Sequence, residues 1–255
     1  MRALLTGAGN MGRQIRSALE ARADDVVALV GRDQRPTPAS LAPVDVAFEF
    51  SHASALIDNV SYARDAGARN VVIGTSGWAD QPTSCDELDR LATQSDLRIV
   101  VGPSFSIGVV VFTEVAEEAA RRFGSFADYD PYVLEWHRRA KPDRPSGTAL
   151  ALADRLLPHL HSKRRARLAD GSGAPDPETL EVVALRAGAS PGMHIVGFDA
   201  PGESIELRIT ARDRSAYVAG ALIAADRLLA DPDRPPGVTT FDHLLREIRT
   251  QGDDR

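Results

Sequence analysis

Apolar positions in the first hundred residues fall into short runs separated by helical patterns. Ala3 to Thr6 form an apolar strand. The residues after it place Met11, Ile15, Ala18 and Leu19 on one helical face, at spacings of four, three and one. Val26 to Val30 reads as a second strand. Val44, Val46, Phe48 and Phe50 alternate as a third, and Ser51 to Ala66 reads as a helix. Asn70 to Ile73, a helix over Ser84 to Gln94, and a strand over Arg98 to Val101 complete the series. Alternation of strand and helix with short links predicts a parallel sheet covered on both faces.

The pattern then changes. Val109 to Arg122 predicts a helix, Asp128 to Trp136 a strand, and Gly147 to Leu160 a helix. A basic segment rich in Gly, Pro and Ser follows (HSKRRARLADGSGAPDPE) and reads as an irregular, solvated connection. Leu180 to Leu185, Met193 to Phe198 and Ile205 to Ala211 read as strands, the last two joined by a Pro-Gly turn as a hairpin. Strands without intervening helices predict a second, mixed or antiparallel sheet. Its short hydrophobic faces call for cover from another subunit. Ser215 to Leu229 predicts a helix with Tyr217, Ala221, Ala224, Ala225 and Leu228 on one face. A Pro-rich loop and a short helix over Asp242 to Ile248 are expected to return to the first domain. The expected fold is therefore α/β plus α+β. Residues 1–107 and 214–255 would form a Rossmann-like dinucleotide-binding domain, and 108–213 a domain for substrate binding and oligomerisation.

Composition narrows the function. The 255 residues are 43% hydrophobic and 26% charged, which suits packed domains. A net charge of −6 argues against a nucleic-acid partner, and no apolar run is long enough to span a membrane. The single cysteine, Cys85, permits no internal disulfide, which fits a cytoplasmic protein. The N-terminus begins as a strand and lacks the pattern of a signal peptide.

Two stretches carry candidate chemistry. The first is Gly7-Ala8-Gly9-Asn10-Met11-Gly12, between the first strand and the first helix. A glycine turn there lets backbone approach a pyrophosphate, and the helix start faces it with unpaired N–H groups. Small-residue loops after later strands, Gly74-Thr75-Ser76-Gly77 and Gly102-Pro103-Ser104-Phe105, would let a flat nicotinamide ring lie against backbone. The second strand ends in Gly31-Arg32-Asp33. Arg32 could meet a 2′-phosphate, so the reading leans towards NADPH while NADH stays open. The alternative for Arg32 is a solvated loop residue. His52 also follows a strand end and reads as solvated.

The second stretch is LEWHRRAKPDRPSGTAL, Leu134 to Leu150. His137 is of the residue type that suits proton donation at neutral pH. Lys141 can anchor an anion or give a proton. Ser146 is a candidate N-cap, and Ser146, Gly147 and Thr148 at a helix start suit a carboxylate. The bland alternative is a basic surface loop with both groups solvated. No metal site is expected.

The sequence Glu135-Trp-His137-Arg138-Arg-Ala-Lys141-Pro-Asp143-Arg-Pro145-Ser146-Gly147-Thr148-Ala149 resembles the dihydrodipicolinate reductase (4-hydroxy-tetrahydrodipicolinate reductase) family, whose pattern is close to E-x-H-H-x-x-K-x-D-x-P-S-G-T-A. GAGNMGR, GTSGW, PSFSIGV, RAGASPGMHIVGF and ARDRSAYVAGAL are similar to further segments of that family. The resemblance implies NAD(P)H-dependent reduction of a cyclic dicarboxylate imine, with loss of water, in lysine (diaminopimelate) biosynthesis. It implies His137 and Lys141 as proton donors. Ser76, Arg138, Ser146, Gly147 and Thr148 would be substrate contacts. Gly7 to Gly12, Arg32, Phe50, Gly74 to Ser76 and Gly102 to Phe105 would contact the cofactor. It also implies a homotetramer built through the mixed sheet. Arg138 stands where the family has a second histidine, Ser76 where it has threonine, and Ser104 where it has asparagine. A paralogous reductase of another cyclic imine or enamine acid, or a non-enzymatic NAD(P)-binding regulator, are the alternatives.

Overall fold

The computed structural model describes residues 1–31, 35–41, 43–78, 84–171, 173–174 and 176–253, with side chains of 251–253 left out. The chain divides into two compact units, Met1–Ser106 with Ser215–Arg255, and Ile107–Arg214.

The first unit is built on β1 (Arg2–Thr6), β2 (Asp25–Val30), β3 (Val46–Glu49), β4 (Asn70–Ile73), β5 (Arg98–Val101) and β11 (Gly237–Thr240). They form one sheet in the order β11-β5-β4-β3-β1-β2, and every pairing is parallel. Its helices are α1 (Asn10–Ala21), α2 (Leu56–Asp65), α3 (Ser84–Gln94), α6 (Ser215–Ala230) and α7 (Phe241–Asp253). All four residues of β3 and of β4 are buried, as expected for central parallel strands covered on both faces. The alternation seen in Val44, Val46, Phe48 and Phe50 thus understates the strand, since Ala47 and Glu49 are also buried.

Two sequence expectations need correction here. The helix expected from Ser51 starts only at Leu56, after a short 3-10 turn over Ala53–Ala55. The tail returns to this unit as expected, but it does so first through β11, which pairs with β5. Its short GVTT segment follows a Pro-rich loop and carries too weak a pattern to stand out.

The second unit contains α4 (Ile107–Phe123), β6 (Asp130–His137), α5 (Gly147–Leu156), β7 (Arg165–Leu168), β8 (Thr179–Arg186), β9 (Met193–Ala200) and β10 (Glu203–Thr210). The sheet order is β10-β9-β6-β8-β7. β9 is antiparallel to β10 and to β6, whereas β6, β8 and β7 run parallel. The sheet is therefore mixed. β7 lies inside the basic segment read as irregular, so that expectation fails. Its side chains are mostly exposed, which is how an edge strand can carry arginines. The helix expected to reach Leu160 stops at Leu156 and passes into a 3-10 turn containing Pro158, because an interior proline removes a backbone donor.

One face of this sheet packs under α4 and α5. The core there joins Ala116, Ala120, Leu152 and Leu156 to Val133, Val182, Val196 and Phe198. The opposite face carries Leu134, Trp136, Val183 and Ile195, all half-buried, and Leu185, 49% exposed. Among the described residues no helix is long and apolar enough to cross a membrane.

Candidate functional site

In the first unit the glycine loops lie at the carboxyl ends of β1, β4 and β5, and Phe50 lies at the carboxyl end of β3, which stands between β1 and β4 in the sheet. The chain steps from β1 to β2 on one side and to β3 on the other, so the turn after β1 sits at a switch in strand order. Gly7 has φ +105, and a Cβ on it would lie 2.2 Å from the Phe50 carbonyl oxygen. A Cβ on Gly12 would meet the Gly7 carbonyl oxygen at 1.9 Å. Both glycines are required for the turn to pack on its neighbours. Gly9, the N-cap of α1, has open space around it, and no side chain caps the helix. A helix start with unspent N–H groups and no Cβ in the way fits a pyrophosphate. Ala8 and Asn10 are exposed beside it and Met11 is half-buried. Arg32 lies outside the described residues.

Phe50 organises the remaining loops. Its N–H donates to the Thr6 carbonyl at 2.9 Å. A Cβ on Gly74 would overlap the Phe50 ring at 2.0 Å, and the ring stands 6.0 Å from that of Phe105. Phe105 is itself buried against Phe241, ring centroids 4.8 Å apart. Phe105 therefore packs inward. Pro103 and Ser76 are exposed, and Ser104 and Gly74 are half-buried. Ser104 Oγ accepts from the Ser106 N–H at 3.3 Å.

Beneath these loops lies a carboxylate that sequence reasoning missed. Glu49, 1% exposed, accepts from the hydroxyls of Ser51 and Thr75 and from Asn59 Nδ2 at 2.9 Å. Thr75 Oγ1 in turn accepts from the Ser51 N–H at 2.8 Å. Burial pushes the Glu49 carboxyl up, and these donors offset only part of that. The network ties the chain after β3 to the chain after β4. Its sequence signal was weak: an acidic residue inside an apolar strand.

In the second unit the candidate groups come from β6 and the turns around it. Alternation along β6 sends Val133, Glu135 and His137 to the helix-covered face. Register pairs Glu135 with Ala184 on β8 and His194 on β9. His137 pairs with Arg186. His137 is thus the last residue of the strand, which runs one residue beyond its expected end at Trp136.

Glu135, 0% exposed, is the hub. It accepts from the Ser146 N–H at 2.9 Å and from the Ser146 hydroxyl. Arg186 Nη2 donates to it at 2.7 Å. His137 Nδ1 lies 3.2 Å from its Oε2, close but off the line of a full hydrogen bond. Burial alone would raise this carboxyl, but His137, Ser146 and Arg186 outweigh it and hold it well below the usual carboxylate range. The His194 ring stands edge-on to His137, centroids 5.2 Å apart. Burial first, then the charge of His137, lowers His194 to about 4, so it is neutral at physiological pH.

Ser146 caps α5, its Oγ accepting from the Ala149 N–H at 3.2 Å. Its hydroxyl is thus spent within the protein. The other hydroxyl at this helix start belongs to the half-buried Thr148, and Gly147 is exposed. Lys141 pairs with Asp143 at 2.8 Å, and Arg138 is exposed. The structure brings together His137 and Ser146 through Glu135, and connects the Lys141 loop to the same hub because Arg186 also donates to the Asp143 carbonyl. Glu135, His137 and His194 offer ligand-type atoms within 4.8 Å of one another. Glu135 is already engaged, and Lys141 and Arg186 place positive charge beside His194. Such a set is poorly suited to a cation.

Residues 1–105 match the family described as "Dihydrodipicolinate reductase, N-terminus", and residues 108–245 match "Dihydrodipicolinate reductase, C-terminus".

The chain belongs to the dihydrodipicolinate reductase family.

Members of this family are NAD(P)H-dependent oxidoreductases of lysine biosynthesis. The 4-hydroxy-tetrahydrodipicolinate reductase of Methanocaldococcus jannaschii is 33% identical over 242 residues, covering 89% of this chain and 85% of that one. Its namesake in Methanosarcina acetivorans is 34% identical over 201 residues, covering 79% and 73%. Among solved structures, the dipicolinate-bound dihydrodipicolinate reductase from Paenisporosarcina superposes with a TM-score of 0.70 at 20% identity, covering 94% of this chain and 97% of that one. That likeness supports the dihydrodipicolinate reductase fold, with its parallel sheet and second mixed sheet.

Proposed function

We propose that the chain reduces 4-hydroxy-tetrahydrodipicolinate to tetrahydrodipicolinate, with loss of water, using NAD(P)H. The first unit is the dinucleotide-binding domain and the second binds substrate and forms the oligomer. The turn from Gly7 to Gly12 receives the pyrophosphate. Phe50 and the backbone of Gly74 to Ser76 and Gly102 to Phe105 border the nicotinamide. NAD(P)H, when bound, supplies the hydride. Arg32 favours NADPH, by pairing with its 2′-phosphate.

The chain's own residues handle charge and protons. Gly147 and Thr148, at the start of α5, bind one substrate carboxylate through N–H groups and the threonine hydroxyl. Ser146 shapes that turn. Arg138 reaches a carboxylate as a fork of donors where relatives use a histidine. Lys141 adds positive charge and a second proton source, and His137 donates the proton that accompanies the hydride. The observation that carries this reading is the convergence of His137, Ser146 and the Lys141 loop on Glu135. A solvated basic loop would not have assembled them around a buried carboxylate, and a nucleotide sensor has no need of a proton donor there. The open face of the mixed sheet, with Leu134, Trp136, Val183, Leu185 and Ile195, supports assembly as a homotetramer. The cytoplasm is the proposed compartment.

The direct test supplies the aldol product of pyruvate and aspartate semialdehyde and follows NADPH and NADH oxidation separately. Oxidation with neither rejects the substrate. Lys141→Ala is expected to reduce turnover by about two orders of magnitude or more. A near-normal rate would favour a paralogue or a sensor.

A further inference from the structure

The segment from Arg186 to His194 wraps the strand end that carries His137. The Ala187 N–H donates to the His137 carbonyl at 3.1 Å, and the Arg139 N–H donates to the Gly188 carbonyl at 3.1 Å. The Trp136 indole donates to the Ala187 carbonyl at 2.9 Å, and the Ser190 hydroxyl to the Trp136 carbonyl at 3.2 Å. Gly192 lies so close that a Cβ on it would sit 3.0 Å from His137 Nε2. The His194 ring packs on the same imidazole. Backbone and ring are therefore held from several sides, but none of these contacts says which nitrogen carries the proton.

Glu135 does. Its Oε2 lies 3.2 Å from Nδ1, and Arg186, whose side chain is 8% exposed, holds the carboxylate by its other oxygen. A buried carboxylate beside one nitrogen selects the tautomer with hydrogen on that nitrogen. The same carboxylate takes both polar groups of Ser146.

We propose that Glu135 is a positioning residue that couples the proton donor to the carboxylate clamp: it keeps a hydrogen on His137 Nδ1, so that the protonated ring gives the catalytic proton from Nε2 and is left as the Nδ1–H tautomer, and it fixes the Ser146 turn to the same anchor. The inference rests on the reading of His137 as proton donor. Arg186 sets the carboxylate's orientation, and neutral His194 supplies a wall without competing for the proton. One change at Glu135 should therefore disturb proton transfer and substrate binding together, while cofactor binding by the other unit is untouched.

The test is Glu135→Gln, with Glu135→Asp as the conservative control. The neutral amide should lower kcat by on the order of 100-fold and raise the substrate KM, with cofactor affinity by fluorescence titration within about twofold of wild type. The alkaline limb of kcat/KM should move to lower pH. The anion beside the imidazole is gone, and His194, Lys141 and Arg186 are the neutral or positive groups that remain. The Glu135→Asp variant, which keeps the anion, should restore the position of that limb in part. A kcat within about threefold of wild type, or an unmoved limb, overturns the proposal. If the Gln variant does not fold, imidazole nitrogen NMR of the wild-type protein decides. A hydrogen on Nδ1 of neutral His137 supports the proposal and one on Nε2 overturns it. Failure of wild type to oxidise either cofactor would reject the substrate reading and leave the NMR result standing on its own.

Discussion

Acid should weaken this protein through His194 before it reaches the carboxylates. His194 is 5% exposed and sits directly opposite Glu135 on the neighbouring strand. Burial and the neighbouring His137 bring it to about 4, against an ordinary value of 6.5. The folded chain then binds fewer protons than the unfolded chain between those two values. Stability from this group is complete above about pH 6.5 and drains away as pH falls towards about 4. For one such group the loss is roughly 1.4 kcal/mol at pH 5.5 and roughly 2 kcal/mol at pH 5. Glu135, whose carboxyl is held low, adds a loss of the same sign only below its ordinary range. Glu49, pushed up by burial, acts in the opposite sense: its contribution is present in acid and lost as pH rises. Comparing wild type with His194→Asn cancels both to first order. Urea unfolding of the two proteins from pH 7.5 to 5 should show wild type losing about 2 kcal/mol more than the variant across that range. Curves that stay parallel would refute the claim that His194 is buried neutral.

Three further outcomes are expected. Ser146→Ala removes the α5 cap and a donor to Glu135, and should cost about 1 to 2 kcal/mol in urea unfolding. Gly220→Ala places a Cβ 1.7 Å from the Phe105 carbonyl oxygen. Two backbones must then separate, at a cost of about 3 kcal/mol, and unchanged thermal stability would mean the α6 contact is misassigned. Arg32→Ala should raise the KM for NADPH much more than that for NADH, and equal changes in steady-state kinetics would remove the 2′-phosphate role.

Much of the fold was legible because its elements are locally specified. β4 and β5 match their expected bounds because each is an apolar run between turn residues. The β9–β10 hairpin was legible because its strands alternate and a Pro-Gly turn joins them. β7 and β11 were not legible, since one is charged and the other short, and both gain their identity from the strand beside them. His137, Lys141 and the Ser146 cap could be picked out by residue type and spacing. Glu135 stood in the same motif without a role, and Arg186 and His194 stood in a segment whose resemblance was noted but whose chemistry was not.

By itself the sequence determined the two-part architecture, the glycine turn ahead of α1 and the residue types available for proton transfer, because these depend on neighbours along the chain. Only the tertiary structure decided which of them meet. Glu135 and Arg186 are separated by 51 positions, and their pairing depends on the register of β6 against β8. A slip of one residue would turn Glu135 and His137 to the opposite face. That register is set by the burial of Val133, Val182 and Val196 beneath α4 and α5, a cooperative packing choice that no local pattern contains.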